Sequence, residues 1–255
     1  MNRFFELPRP VIFAHRGDSA HAPENTLAAF RQALQKGAPA VELDAKLSKD
    51  GTVMVIHDPD TIRTTGVPGL VRRMTCAALQ ALDAGSFFDA RFIGERIPTL
   101  DEVLEEVGGK LLVNIELTNY AAPFDELPDK VAAIVQRHAL ADQVIFSSFN
   151  PANLERIRRV LPGTPAGILA FPGIAGALAR SRLFLKASPA LVHPHHSAVT
   201  PAYLENEHRR ARQVNTWTVN SPERIQLLYA WGIDGIITDD PAFALSLLNQ
   251  VKEQR

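Results

Sequence analysis

The triplet His15-Arg16-Gly17 closes a short apolar run, Val11 to Ala14, and sets an imidazole, a guanidinium and a glycine side by side. Packing gives a buried strand no reason to end this way. A phosphate site does. A planar guanidinium grips phosphate oxygens in pairs, and glycine lets the backbone come close to an anion. The polar loop that follows leads into Pro23-Glu24-Asn25-Thr26, which opens a helix whose amino end also suits an anion.

Two other stretches place charge where a buried strand should be apolar. In Val41-Glu42-Leu43-Asp44-Ala45-Lys46-Leu47, side chains alternate, so Glu42, Asp44 and Lys46 share the face opposite Val41, Leu43 and Ala45. Leu111 to Leu117 repeats the anomaly, with Leu112, Asn114 and Glu116 on one face. Carboxylates gathered at one place repel each other and lose hydration unless a cation stands among them. A hard divalent ion held by Glu42, Asp44 and Glu116 meets that need. The competing reading pairs the acids with Lys46 and Arg16.

His57, in Val55-Ile56-His57-Asp58, joins His15 beside the acids. An imidazole titrates at about 6.5 in water, so two of them suit general base and general acid. Asp18 and Asp58 are the residues expected to orient them. A further group, His193, His195 and His196, matches no closed zinc spacing, and His193 is expected to contact substrate from its strand end. Trp217 and Phe149 also fall at strand ends, where aromatic faces suit the apolar edge of a small organic group. Asn220, Thr238 and Asp239 end the last two strands, Trp231 reads as core, and His21, His138 and His208 read as surface.

Eight alternating units position these residues. The strand-like runs are 11–15, 40–47, 111–117, 143–148, 164–170, 189–193, 213–219 and 234–238. Helix-like stretches lie near 25–36, 99–107, 127–139, 150–160, 174–184, 200–210, 221–230 and 241–250. Alternation implies parallel strands with crossover helices, and eight units fit a closed (β/α)₈ barrel. Asn150-Pro151, Ser221-Pro222 and Asp240-Pro241 each put a capping side chain before a first-turn proline. Neither GxGxxG after a strand nor GxxxxGK[ST] occurs. After the second strand, Asp50-Gly51 turns the chain into an extended run at 52–57. Residues 58–97, with Pro59, Gly66, Pro68, Gly69, Gly85 and Gly94, read as an insertion on the strand-to-helix side, where a lid would form.

The composition narrows the partners. The 255 residues are 46% hydrophobic, and 27 basic side chains face 28 acidic ones. Nucleic acid and anionic membranes need a basic excess that is lacking. No run reaches the roughly 20 apolar residues of a membrane span, and the start, MNRFFELPRP, lacks a signal-peptide core. Cys76 is the single cysteine. A cytoplasmic protein of one domain, residues 1–255, is expected, with its oligomeric state open.

With these residues assembled, the chain resembles the glycerophosphodiester phosphodiesterases. The resemblance rests on HRG at 15–17, PENT at 23–26, ELD at 42–44, DGTVMVIHD at 50–58, IPTLDEVL at 97–104, NIEL at 114–117, TWTVN at 216–220 and GIITDDP at 235–241. It implies a TIM barrel with a small insertion after the second strand. It also implies hydrolysis of glycerophosphodiesters to glycerol 3-phosphate and an alcohol with one divalent cation, Mg2+ or Ca2+. By resemblance the metal carboxylates are Glu42, Asp44 and Glu116, the acid and base are His15 and His57, Arg16 contacts phosphate and Trp217 lies near glycerol. The nucleophile is water or the glycerol 2-hydroxyl. One departure stands out. Many members carry a lysine two residues after the third carboxylate, where this chain has Thr118. Two alternatives remain: a lysophospholipase D-like diesterase entered past Phe87, Phe88 and Phe92, and a non-catalytic phosphate- or metal-binding barrel.

Overall fold

The computed structural model describes residues 2–179, 181 and 186–253. Eight parallel strands close into a barrel: β1 (Val11–His15), β2 (Ala40–Leu47), β4 (Leu112–Leu117), β5 (Val144–Ser148), β6 (Ala166–Ala170), β7 (Leu191–Pro194), β8 (Gln213–Thr216) and β9 (Gly235–Thr238). They run in the order β1-β9-β8-β7-β6-β5-β4-β2, and β1 pairs back onto β2 to complete the circle. Each expected strand is present, most of them trimmed at one or both ends. The expected helix at 174–184 is found as α7 (Ile174–Ala179), and its residues 180 and 182–185 lie outside the described residues.

The outer helices are α1 (Leu27–Gln35), α4 (Leu100–Val107), α5 (Leu127–Arg137), α6 (Pro151–Val160), α7, α8 (Pro201–His208), α9 (Pro222–Ala230) and α10 (Pro241–Glu253). Their starts follow the capping chemistry of the sequence. Thr99 accepts from Glu102 N while Glu102 accepts from Thr99 N, a reciprocal box that fixes α4. Asn150 and Ser221 cap α6 and α9 ahead of prolines. Val41, Leu43, Ala45, Val113 and Ile115 point outward into the core shared with these helices. That outward packing forces Glu42, Asp44 and Glu116 to the inside.

The barrel's lower interior is apolar. Phe13, Ala40, Leu112, Ile145, Leu191 and Ile237 pack there with Phe4, which comes from a 3-10 turn at Arg3–Glu6. Phe4 and Phe13 lie 6.0 Å apart between ring centroids, and Arg9 stands over Phe4 at 4.3 Å. Asn2 ties this turn to the barrel wall through Ala141 O and Val144 O. The N-terminal segment thus forms a floor, which the sequence reading did not foresee.

Between β2 and α4 the chain forms β3 (Val53–Val55), α2 (Ile62–Thr65), a 3-10 turn at Val71–Arg73, α3 (Cys76–Gln80) and a second 3-10 turn at Ala90–Phe92. β3 runs antiparallel to the end of β2, with Ala45 opposite Val55. Ile56 N then donates to Asp44 O at 2.9 Å, so Ile56 is level with Asp44 and His57 follows directly after it. Met54, Ile56, Val71, Leu79, Ala84 and Ile97 give this segment a small apolar core of its own. Among the described residues, no helix is long and apolar enough to cross a membrane.

Candidate active site

Glu42 and Asp44 on β2 and Glu116 on β4 meet at the barrel's carboxyl end. One oxygen from each lies within 4.8 Å of the others. The register makes this meeting unavoidable, because Asp44 pairs with Glu116 across the sheet and both point inward. Burial, then the charges of Asp44 and Glu116, push the Glu42 carboxyl well above its usual range. Burial and the Asp44 charge likewise raise Glu116 to about 8. Asp44 goes the other way. Burial opposes its ionisation, but the Arg16 charge, helped by His57 and by the hydrogen bond from Asn25, holds it below the usual range.

One guanidinium does not neutralise this group. Arg16 Nε lies 3.1 Å from Asp44, while Arg16 Nη1 is spent on Glu24 at 2.9 Å. Asp44 Oδ1 is buried and has no hydrogen-bond partner. Three converging carboxylates, one with an orphaned oxygen, fit a hard divalent cation better than ion pairing. Glu42, Asp44 and Glu116 are the residues that would hold it.

The loop after β1 is built around these acids. Arg16 adopts a left-handed φ of 55°, a conformation that costs an ordinary residue about 1–2 kcal/mol. In return its N–H donates to Glu42 Oε2 at 3.1 Å and its carbonyl accepts from Asn25 N at 2.9 Å. The PENT segment divides its work. Glu24 holds Arg16 and Arg63, Asn25 donates to Asp44 Oδ2 at 2.9 Å, and Thr26 caps α1. Gly17 is also required by packing. Its φ is 84°, and a Cβ there would lie 2.6 Å from the backbone and Cβ of Ala29, so α1 leaves room only for glycine.

Both histidines have one ring nitrogen anchored by a carboxylate. His57 Nδ1 lies 2.7 Å from Asp58, as expected. His15 Nδ1 lies 2.6 Å from Asp239, just past the end of β9, and Asp18 is not its partner. Asp18 is taken by His21 at 3.0 Å and Lys36 at 2.6 Å. Asp239 is in turn held by Asn220 and Ser19. His15 Nε2 faces the acids, 3.9 Å from Glu42. Asp58 is fixed by Arg63; its burial is outweighed by the hydrogen bonds from Arg63 and His57, which hold its carboxyl down at about 2.

An aromatic wall stands beside the acids. Tyr120, missed in the sequence, donates to Glu116 Oε1 at 2.7 Å. Its ring meets Phe149 edge-on at 5.7 Å, Phe149 stacks on Phe171 at 4.4 Å, and Trp217 packs edge-on against both. Phe149 and Trp217 are half-buried, as residues facing a ligand should be. His193 lies deeper. It is fully buried, its ring fills the space a Cβ on Gly167 would need, and burial drives its pKa down to about 3. The His193 side chain is enclosed in this structure, and its carbonyl accepts the Trp217 indole N–H at 2.7 Å. Phe88 meets Phe87 and Phe92 edge-on, and among the described residues none of these rings contacts the wall.

Thr118 also has a defined part. Its hydroxyl and carbonyl accept from Lys46 Nζ at 2.7 and 2.8 Å, so an ammonium from β2 stands at the end of β4.

Comparison with known proteins agrees with this geometry. Residues 15–243 match the Glycerophosphoryl diester phosphodiesterase family. A glycerophosphodiester phosphodiesterase of Caldanaerobacter subterraneus is 36% identical over 95% of this chain and 99% of its own length. One of Bacillus altitudinis is 35% identical over 94% and 99%. The solved structure of an Oleispira antarctica phosphodiesterase, in complex with its product sn-glycerol-3-phosphate, superposes with a TM-score of 0.87 at 30% identity, covering 96% of this chain and 98% of that one. From the paired carboxylates and histidines to its full length, the chain belongs to the glycerophosphoryl diester phosphodiesterase family, and with it to the phosphoric diester hydrolases.

Proposed function

We propose that the chain hydrolyses glycerophosphodiesters to glycerol 3-phosphate and an alcohol, with His15 and His57 as the acid–base pair and one Mg2+ or Ca2+ held by Glu42, Asp44 and Glu116. The observation that carries the reading is the pair of carboxylate-anchored imidazoles, His15 on Asp239 and His57 on Asp58, flanking the acids. An anchor at Nδ1 leaves Nε2 as the proton-transferring atom. His15 takes the proton of the nucleophile, water or the glycerol 2-hydroxyl, and His57 gives one to the departing alkoxide. Arg16 clamps a phosphate oxygen, and Trp217 and Phe149 flank the glycerol. A bound divalent cation would withdraw charge from the phosphate. A barrel that only bound phosphate would have no use for two imidazoles each held in one tautomer. A single domain and a cytoplasmic setting belong to the same reading, supported by the single barrel and the lone free Cys76.

The test is product analysis on glycerophosphoglycerol, -ethanolamine and -choline with each ion in turn. Glycerol 3-phosphate should appear only with a divalent ion and vanish on chelation. Hydrolysis indifferent to chelator would remove the metal from the reading.

A specific observation favours a second substrate class, the lysophospholipids. Phe171 is 56% exposed, and Ile174 and Leu178, one turn apart on α7, are 91% and 54% exposed. This strip continues the aromatic wall outward and suits an acyl chain on the glycerol side. Lysophosphatidylcholine should then be cleaved alongside glycerophosphocholine, and Phe171→Ala should slow the former more. Equal effects on both would dismiss it.

A further inference from the structure

The two histidines open onto separate cavities. His15 lines one of about 380 Å³, crowded with acids: Glu24, Asp239 and Asp240 share its wall. His57 lines another of about 560 Å³, between the turn at Val71–Arg73 and the loop after β4. In an in-line displacement the attacking and departing oxygens lie on opposite sides of phosphorus. Two proton-transferring groups with a chamber each suit that arrangement. The larger chamber lies within the range of small-ligand sites.

We propose that the His57 chamber is the subsite for the departing alcohol, and that it selects alcohols bearing an acidic group. This rests on the proposed hydrolysis and on His57 as the acid. The walls are Leu70, Val71 and Tyr120, with Lys46 and Arg72 as its cations. Lys46 is fixed by its two bonds to Thr118. Arg72 makes no hydrogen bond or ion pair among the described residues, so its charge is available. Asp125 also lines the chamber, but its Oδ1 already accepts from Asn119 at 2.6 Å and Leu127 N at 3.0 Å. A quaternary ammonium would meet two cations there and a carboxylate already engaged. A carboxylate or phosphate on the alcohol would meet Arg72 unpaired.

The matched pair glycerophosphoinositol and glycerophosphoinositol phosphate isolates the charge, with glycerophosphocholine as the cationic arm. The wild-type protein should show the highest kcat/KM on the phosphorylated ester and the lowest on choline. Arg72→Glu reverses one exposed charge and should cut the ratio of phosphorylated to unphosphorylated ester about tenfold. Leu70→Trp fills space and should slow both inositol esters more than glycerophosphoglycerol. An unchanged ratio in Arg72→Glu, or equal slowing of the glycerol and inositol esters in Leu70→Trp, would overturn the assignment while leaving the hydrolase reading intact. A wild-type protein that turned over none of these diesters would overturn both.

Discussion

Asp239 and Asp58 hold Nδ1 of each imidazole, and in the proposed reaction that leaves Nε2 to face the substrate. In the proposed mechanism each imidazole moves one proton, so His15→Ala and His57→Ala should each lower kcat by about 10²–10⁴-fold. Calorimetry should still find a bound divalent ion in both. Asp239→Asn keeps the shape but weakens the anchor of His15, and should lower kcat by at least about 10²-fold with KM little changed. Steady-state kinetics on glycerophosphoglycerol reads both effects. The carboxylates give a pH prediction. Glu116, raised to about 8, and Glu42, raised well above 4.5, keep protons in the folded metal-free protein that the unfolded chain gives up near 4.5. The folded state therefore binds more protons across that window, and stability without metal falls as pH rises from about 4.5 to about 8. A divalent ion should reverse the fall, because it binds the ionised acids of the folded state. Melting curves with chelator and with Ca2+, taken at intervals across this range, check the sign.

At the scale of elements, alternation within a strand was enough to expose Glu42, Asp44 and Glu116, since a period of two is written in the chain itself. Strand ends exposed His15 and His57 for the same local reason. Asp239 escaped as the partner of His15 because 224 residues separate them, and only closure of β1 onto β9 joins them. Tyr120 escaped because it lies past the end of β4, where no periodicity says which way a side chain turns. Lys46 was visible on the acidic face, but its reach to Thr118 depends on the β2–β4 register. That His193 is fully buried could not be read from the sequence, since its run on β7 does not tell how far each strand rises toward the mouth. Gly17 yields a prediction here. Gly17→Ala puts a methyl against Ala29 at a positive φ, and should destabilise the fold by roughly 1–3 kcal/mol. Urea denaturation measures it.

Across the whole molecule, the eight-unit rhythm was legible from end to end, but the floor was not. Phe4 precedes the first strand in a stretch with no period, and only the assembled interior shows why an aromatic is needed there. Phe4→Ala should cost about 3–5 kcal/mol, seen as a lowered Tm, while KM for a good substrate should change little. Because Phe4 and Phe13 stopper the lower end, the barrel is a blind well, so a molecule that reaches the acids must enter and leave on the carboxyl-end side, through one or other of the two chambers there.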